Sequence, residues 1–381
     1  VYSVILFDID GVMLSEERYF DASALTVHEL LSGSSGLGLV VRGLPAYQPV
    51  PPETDIRTIR RVVFAEDRVL DTMKSAGVNA NWDMVYLQFM AQWLHCLRQA
   101  RQQDGVWSMI RALLAEPTWD AAWLARVGAQ LRAAGLTIDP AWFADFCTVY
   151  GDCKHRAGMF AAMAAEMGQL LDVPADALTD RLHHVYDHGV SVFQAWYLGD
   201  AYNEGAATGK TGFVQQEIPL VPPAELAKLF AECQARGARL GVATGRPQIE
   251  TDVPFSTFGW SAYFTPDHIT TASRVRAAEQ RFPDRRPLSK PNPFSYVRSW
   301  LGTTDEAALV QPLPLPKAVG DSILIVGDSV ADWQAARAMG CHFAATLTGL
   351  TGERARATFE QLGCEYILDN VLELPKALRW E

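Results

Sequence analysis

An α/β fold, built on a parallel sheet and interrupted by a large, mostly helical insertion, follows from three features of the sequence. The chain opens on a short apolar run, Val4-Ile5-Leu6-Phe7, that ends in the acids Asp8 and Asp10. From about Glu217 onward, apolar strand-like runs alternate with amphipathic helical ones. Between these two regions, from about Ser15 to about Lys210, helical periodicity dominates. A continuous run of β-formers bounded by acid and glycine suits a strand buried on both faces. Alternating strands and helices imply parallel pairing through right-handed crossovers. A solitary strand before a long helical block has no partner nearby, so it belongs to the later sheet. The expected domains are therefore a discontinuous core, 1–15 and 217–381, and an insertion, 16–216.

The elements follow in order. In the insertion, TDIRTIRRVVFAEDRVLDTMKSAG and VYLQFMAQWLHCLRQARQ are helical segments. Its connectors carry turn residues: Gly33 to Gly38, Pro49 with Pro51 and Pro52, and Asp139-Pro140 at a helix start. In the core, PPAELAKLFAECQARG is a helix stopped by Gly237, and RLGVATGR is a strand emptying into a polar loop. A helix around Gln248 to Phe258, a strand at Ala262 to Phe264 and a helix from Thr271 to Arg281 come next, then the loop LSKPNP. A helix from Phe294 to Leu301 precedes the connector QPLPLP, the strand SILIVGDS, the helix ADWQAARAMG, the strand HFAATLT and a closing helical region.

Composition narrows the function classes. The 381 residues are 49% hydrophobic and 20% charged, with a formal net charge of -11. That acidity argues against a nucleic-acid partner, and an anionic substrate would need local cations. The six cysteines form no CxxC pair, which fits free thiols in a reducing cytoplasm. No apolar run approaches the roughly 18 residues that span a bilayer. A soluble, cytoplasmic protein without a membrane partner is expected.

Ligands of open α/β sheets bind outside the carboxyl ends of the strands, and three strand ends here are chemically loaded. The first carries Asp8 and Asp10, the second Thr244-Gly245-Arg246, and the third Asp328-Ser329 with Asp332 beyond it; Lys290 sits in the loop between the last two. Acid-x-acid-Gly alone is also an ordinary turn. Together these groups make a kit for phosphoryl transfer. Asp8 and Asp328 suit a hard divalent cation, with Mg²⁺ the expected cofactor. Lys290, the Thr244 hydroxyl and a neighbouring N–H suit phosphoryl oxygens, and Arg246 follows at the same edge. Asp10 is then available for proton transfer.

The ordered segments FDIDGVM, VATGR, LSKPNP and VGDSVAD resemble the four motifs of the haloacid dehalogenase superfamily. The resemblance covers residues 1 to about 15 and about 217 to 381 and implies a Rossmann-like three-layer core. By similarity Asp8 matches the nucleophile, Asp10 the general acid/base, Thr244 and Lys290 the phosphate-binding pair, Asp328 the metal ligand, and Asp332 the second acid of the fourth motif, which acts in the metal's outer shell or orients the lysine. The candidate site is therefore Asp8, Asp10 and Lys290 as catalytic residues, Thr244, Gly245, Arg246 and Lys290 on the phosphate side, and Asp8, Asp10, Asp328 and Asp332 on the metal side. The helical insertion corresponds to a cap domain that selects substrate. An acid at position 10 favours phosphate esters over dehalogenation or phosphonate cleavage. The resemblance implies a Mg²⁺-dependent phosphatase of a small phosphorylated metabolite, with a phosphomutase or a non-catalytic binding protein as alternatives. An insertion of this size exceeds the helical caps usual at that position, so the substrate does not carry over.

Two other features invite functional readings. GAATGKTG, Gly205 to Gly212, has three residues between Gly205 and Gly209-Lys210, where a phosphate-binding P-loop needs four. A flexible hinge is the better reading. His183, His184 and His188 have spacings compatible with a metal site, but solvated histidines are commoner. Trp196 and Tyr197 read as packing residues.

Overall fold

A computed structural model describes residues 2–380. It divides into two compact units, one formed by Val1–Glu17 with Val214–Glu381 and the other by Arg18–Phe213.

The first unit holds a six-stranded parallel sheet of order β3-β2-β1-β4-β5-β6. The strands are β1 Val4–Phe7, β2 Arg239–Ala243, β3 Ile269–Thr270, β4 Ile323–Gly327, β5 His342–Thr346 and β6 Tyr366–Leu368. β1 is central because every residue of its apolar run is buried, as a strand with neighbours and helices on all sides requires. Helices cover both faces. One face packs Leu226, Leu229 and Phe230 against Ile5 and Phe7; the other packs Tyr296, Val297 and Met339 against Leu6 and Ile325. This is the α/β, three-layer arrangement that the sequence predicts.

Register sets the chemistry. Phe7 aligns with Val242 of β2 and with Val326 of β4, so all three strands stop at nearly the same level. Their next residues, Asp8, Thr244 and Asp328, therefore emerge along one edge.

Two strand expectations differ from the structure. The apolar Ala262 to Phe264 stretch lies in and just after a helical turn, Ser261–Tyr263, and the adjoining strand is instead β3. Tyr263 and Phe264 are apolar because they pack on the Phe230 ring, at 5.7 and 5.0 Å between centroids. The closing region also contains β6, three residues on the sheet edge.

The chain leaves and re-enters this unit at one place. Leu14 and Pro219 form an antiparallel bridge. Ser15 N–H donates to the Ile218 carbonyl at 2.9 Å, and Leu220 N–H to the Met13 carbonyl at 3.0 Å.

The second unit is helical. Its longest helices, Asn81–Ala100 and Thr179–Leu198, pack together. Trp119 and Trp123 stack at 4.7 Å beside Trp93, all three buried. The segment TDIRTIRRVVFAEDRVLDTMKSAG forms two helices, Glu53–Val63 and Arg68–Ser75, separated where Ala65, Glu66 and Asp67 take positive φ. Trp196 and Tyr197 are buried packing residues. The Arg18 guanidinium lies 5.3 Å from the Phe213 ring centre, so this unit's first and last residues meet. No helix among the described residues is long and apolar enough to cross a membrane.

Candidate active site

β1 delivers Asp8, whose side chain is nearly enclosed at 11% exposure. Oδ1 accepts the Ile9 N–H at 2.8 Å, and Oδ2 pairs with Lys290 Nζ at 2.8 Å. Burial pushes the Asp8 carboxyl up to about 7, with Lys290 opposing and Asp332 and Asp10 reinforcing the rise. Beyond Asp8 the chain turns tightly: the Met13 and Leu14 N–H groups both donate to the Ile9 carbonyl. Gly11 sits in that turn at φ +70°, and a Cβ there would come 2.2 Å from Asp328 Oδ2. Only glycine allows this approach. The Gly11 carbonyl is fastened by the hydroxyls of Thr346 and Thr348, at 3.0 and 2.6 Å.

β4 delivers Asp328, and the following helix Val330–Met339 delivers Asp332. The Asp328 side chain takes part in no hydrogen bond or ion pair among the described residues, and burial with its acidic neighbours raises its pKa well above the ordinary value. Asp332 is the opposite case. Its Oδ1 accepts Tyr296 OH and pairs with Lys290 Nζ, both at 2.8 Å, while Oδ2 accepts the Ser329 hydroxyl at 2.7 Å and the Ser329 N–H at 3.2 Å. Burial pushes its pKa up, yet Lys290 and these donors hold it below the usual range.

Lys290 thus bridges Asp8 and Asp332 from a loop, with its ammonium 4.9 Å from the centre of the Tyr296 ring. Burial alone would favour the neutral amine, but the two carboxylates raise its pKa above that of ordinary lysine. Asp8, Asp328 and Asp332 each offer an oxygen within 4.8 Å of the others. Three acids against one lysine leave net negative charge that a hard cation would offset, and an all-oxygen donor set suits Mg²⁺.

At the end of β2 the Thr244 hydroxyl oxygen accepts the Arg246 N–H at 3.1 Å, so its own hydrogen remains to be donated. Gly245 is exposed, and a Cβ on it would meet nothing within 4 Å. Asp10 and Arg246 stand apart from the carboxylate group: Asp10 pairs with Arg246, whose guanidinium is 1% exposed and also holds Glu217. Sequence reasoning missed Tyr296 and Glu217. Tyr296 reads as one more core aromatic, and Glu217 has no motif around it.

In the helical unit, the three histidines do not converge. His183 faces Asp187, His184 Nδ1 accepts the Trp119 N–H, and His188 bonds the Ser35 carbonyl. Within the Gly205 to Gly212 segment, Asp200 accepts the N–H groups of Thr208 and Gly209, and Lys210 is buried against Glu29 at 3.0 Å. The six cysteines are free thiols.

Comparison with known proteins fits this arrangement. A family model described as HAD-hydrolase-like matches residues 287–374. An X-ray structure of a Northeast Structural Genomics Consortium target is similar over 99% of this chain and 98% of its own, at 34% identity and a TM-score of 0.85. A conserved haloacid dehalogenase-like protein of unknown function from Agrobacterium tumefaciens is 13% identical, covering 100% of this chain and 99% of its own, with a TM-score of 0.36. A putative beta-phosphoglucomutase from Thermotoga maritima is 14% identical, covering 99% and 98%, with a TM-score of 0.39. No curated protein matches. The chain belongs to the haloacid dehalogenase superfamily of hydrolase-fold proteins.

Proposed function

We propose that the protein is a Mg²⁺-dependent phosphomonoesterase that works through an aspartyl-phosphate on Asp8, with a small phosphorylated metabolite as substrate. The observation that carries this reading is the junction of Asp8 with Lys290 at 2.8 Å, on the sheet edge that also presents Thr244, Asp10 and Asp328. Asp8 and Asp328 would hold the cation; Asp332, already saturated by Tyr296, Ser329 and Lys290, orients the lysine. When bound, Mg²⁺ supplies positive charge that offsets the phosphate and polarises its oxygens.

The protein's own groups do the rest. An Asp8 oxygen attacks phosphorus as the ester P–O bond breaks, and Asp10 gives its proton to the departing oxygen. Water then attacks the phospho-aspartate, Asp10 takes the water's proton, and the Asp8 carboxylate is released with inorganic phosphate. Throughout, Lys290 stays charged and the Thr244 hydroxyl donates to a phosphoryl oxygen; fixed donors of this kind supply much of the catalysis in phosphoryl transfer.

The test is phosphate release from a panel of phosphomonoesters with Mg²⁺ and with EDTA. Wild type should turn over at least one ester in Mg²⁺ and none in EDTA. Asp8→Asn should lose about 10³-fold or more, as loss of a covalent nucleophile does; an Asp8→Asn protein as active as wild type removes the mechanism.

A further inference from the structure

Arg246 follows the strand-end threonine, where a phosphate ligand is expected, yet its guanidinium is spent elsewhere. Nε and one terminal nitrogen both donate to Oδ1 of Asp10, at 2.9 and 2.6 Å. The other terminal nitrogen donates to Glu217 Oε1 at 2.6 Å and to the Glu250 carbonyl at 3.4 Å. The Glu217 side chain is fully enclosed, and that of Asp10 keeps 27% exposure. These are the only side-chain hydrogen bonds of Asp10 among the described residues. No other side-chain hydrogen bond among the described residues holds the rotamer of this short acid, which lies within the tight turn from Ile9 to Leu14.

We infer that Arg246 is a positioning residue for Asp10, anchored from behind by Glu217, and not a ligand of the substrate phosphate. The inference rests on the phosphohydrolase reading above. With Oδ1 occupied by two N–H donors, Oδ2 is the oxygen that carries the proton. In the first half-reaction that proton passes from Oδ2 to the leaving oxygen as its bond to phosphorus breaks; in the second, Oδ2 recovers a proton from the attacking water. Arg246 gains and loses no proton in either. A buried guanidinium with carboxylates on two of its sides keeps its charge and a fixed orientation. Glu217 matters because a lone arginine at that depth would carry uncompensated charge.

The consequence is selective for the leaving group. A phosphate ligand contributes equally to every ester, whereas an acid's aim matters only when the departing oxygen needs a proton. The alkoxide leaving an alkyl phosphate needs one; the phenolate leaving p-nitrophenyl phosphate is stabilised without it.

The experiment compares kcat and KM on glycerol phosphate and on p-nitrophenyl phosphate for wild type, Arg246→Met, Arg246→Lys and Glu217→Gln, in Mg²⁺. In Arg246→Met, kcat for the alkyl ester should fall about tenfold or more beyond the fall for the aryl ester, within the range that general acid catalysis contributes. KM should shift little, and Arg246→Lys should recover part of the difference. Equal losses on both esters with raised KM would mark a phosphate ligand and overturn the inference. Should Arg246→Met fail to fold, Glu217→Gln decides: a lowered alkyl-to-aryl ratio supports the inference, and an unchanged ratio overturns it. Wild type inactive on all esters would instead defeat the phosphohydrolase reading. The positioning contact is then judged by crystal structures of wild type and the variants, in which an Asp10 carboxylate unmoved by loss of the Arg246 guanidinium overturns it.

Discussion

Buried charge is handled in opposite ways in the helical unit and in the carboxylate cluster at the sheet edge of the α/β unit. In the helical unit each enclosed acid is matched. Asp21 faces Arg18, Arg60 and Arg57 at 3.0, 3.4 and 3.6 Å; Glu29 faces Lys210 at 3.0 Å; Asp83 faces Arg156 at 2.5 Å and Tyr186 at 2.9 Å. At the sheet edge, Asp8, Asp328 and Asp332 crowd within 4.8 Å around a single lysine. Matched charge fixes how helices pack. Unmatched charge costs folding energy and persists where something else completes it; in the proposed reaction a cation and a phosphate would do so. The contrast separates a structural polar network from a candidate active site without reference to any motif.

The largest effect is expected of Asp328→Asn, which removes one of the crowded carboxylates. Turnover in Mg²⁺ should fall by about 10²- to 10³-fold, while the melting temperature in EDTA should rise, because one repelling carboxylate is gone. A variant that loses both activity and metal-free stability would mean that Asp328 is structural. Next in size is Lys210→Met in the helical unit. Breaking a buried pair costs about 3–5 kcal/mol, measurable by urea denaturation, and Glu29→Leu added to it should restore most of the loss.

The smallest effect is one of pH. Asp8 has a folded pKa of about 7, against an ordinary carboxylate value near 3.8 when unfolded. Between these values the folded state binds more protons at Asp8 than the unfolded one, so the contribution of Asp8 to stability is full below about pH 4 and declines as pH rises through 7. Asp332, whose pKa is lowered, acts with the opposite sign and below that window. Metal-free protein should therefore be easier to unfold in urea at pH 7 than at pH 5, and saturating Mg²⁺ should reduce the difference.

Much of the core was legible because a parallel sheet buried on both faces writes its strands as short apolar runs. β1, β2, β4 and β5 are such runs, and the polar residues that end three of them fall at the site by register alone. β3 and β6 were not legible. Two and three residues long, at or near the sheet edges, they bury too little to imprint a pattern, and the neighbouring Tyr263-Phe264 pair is apolar for packing on Phe230. At the site, side chains at strand ends were readable and their partners were not. Arg246 and Asp10 lie 236 residues apart, and no local spacing announces that they pair. The partners of Lys210 were hidden for a related reason: nothing in the glycine-rich sequence around it announces Glu29, 181 residues away, or the Asp200 carboxylate that takes the neighbouring N–H groups.

The paired segments at Leu14 and Pro219 carry a consequence for how such a chain can be assembled. They form the foot of a hairpin, and the whole stretch Arg18–Phe213 stands where a turn of a few residues would suffice. By logarithmic scaling, closing a flexible loop of about 200 residues costs roughly 3 kcal/mol more than closing one of about eight. An insert whose own ends already meet, as Arg18 and Phe213 do, removes most of that penalty. The sheet then tolerates a graft of almost any length at this point, and the helical unit can be enlarged or exchanged over evolution while the register that lines up Asp8, Thr244 and Asp328 stays as it is.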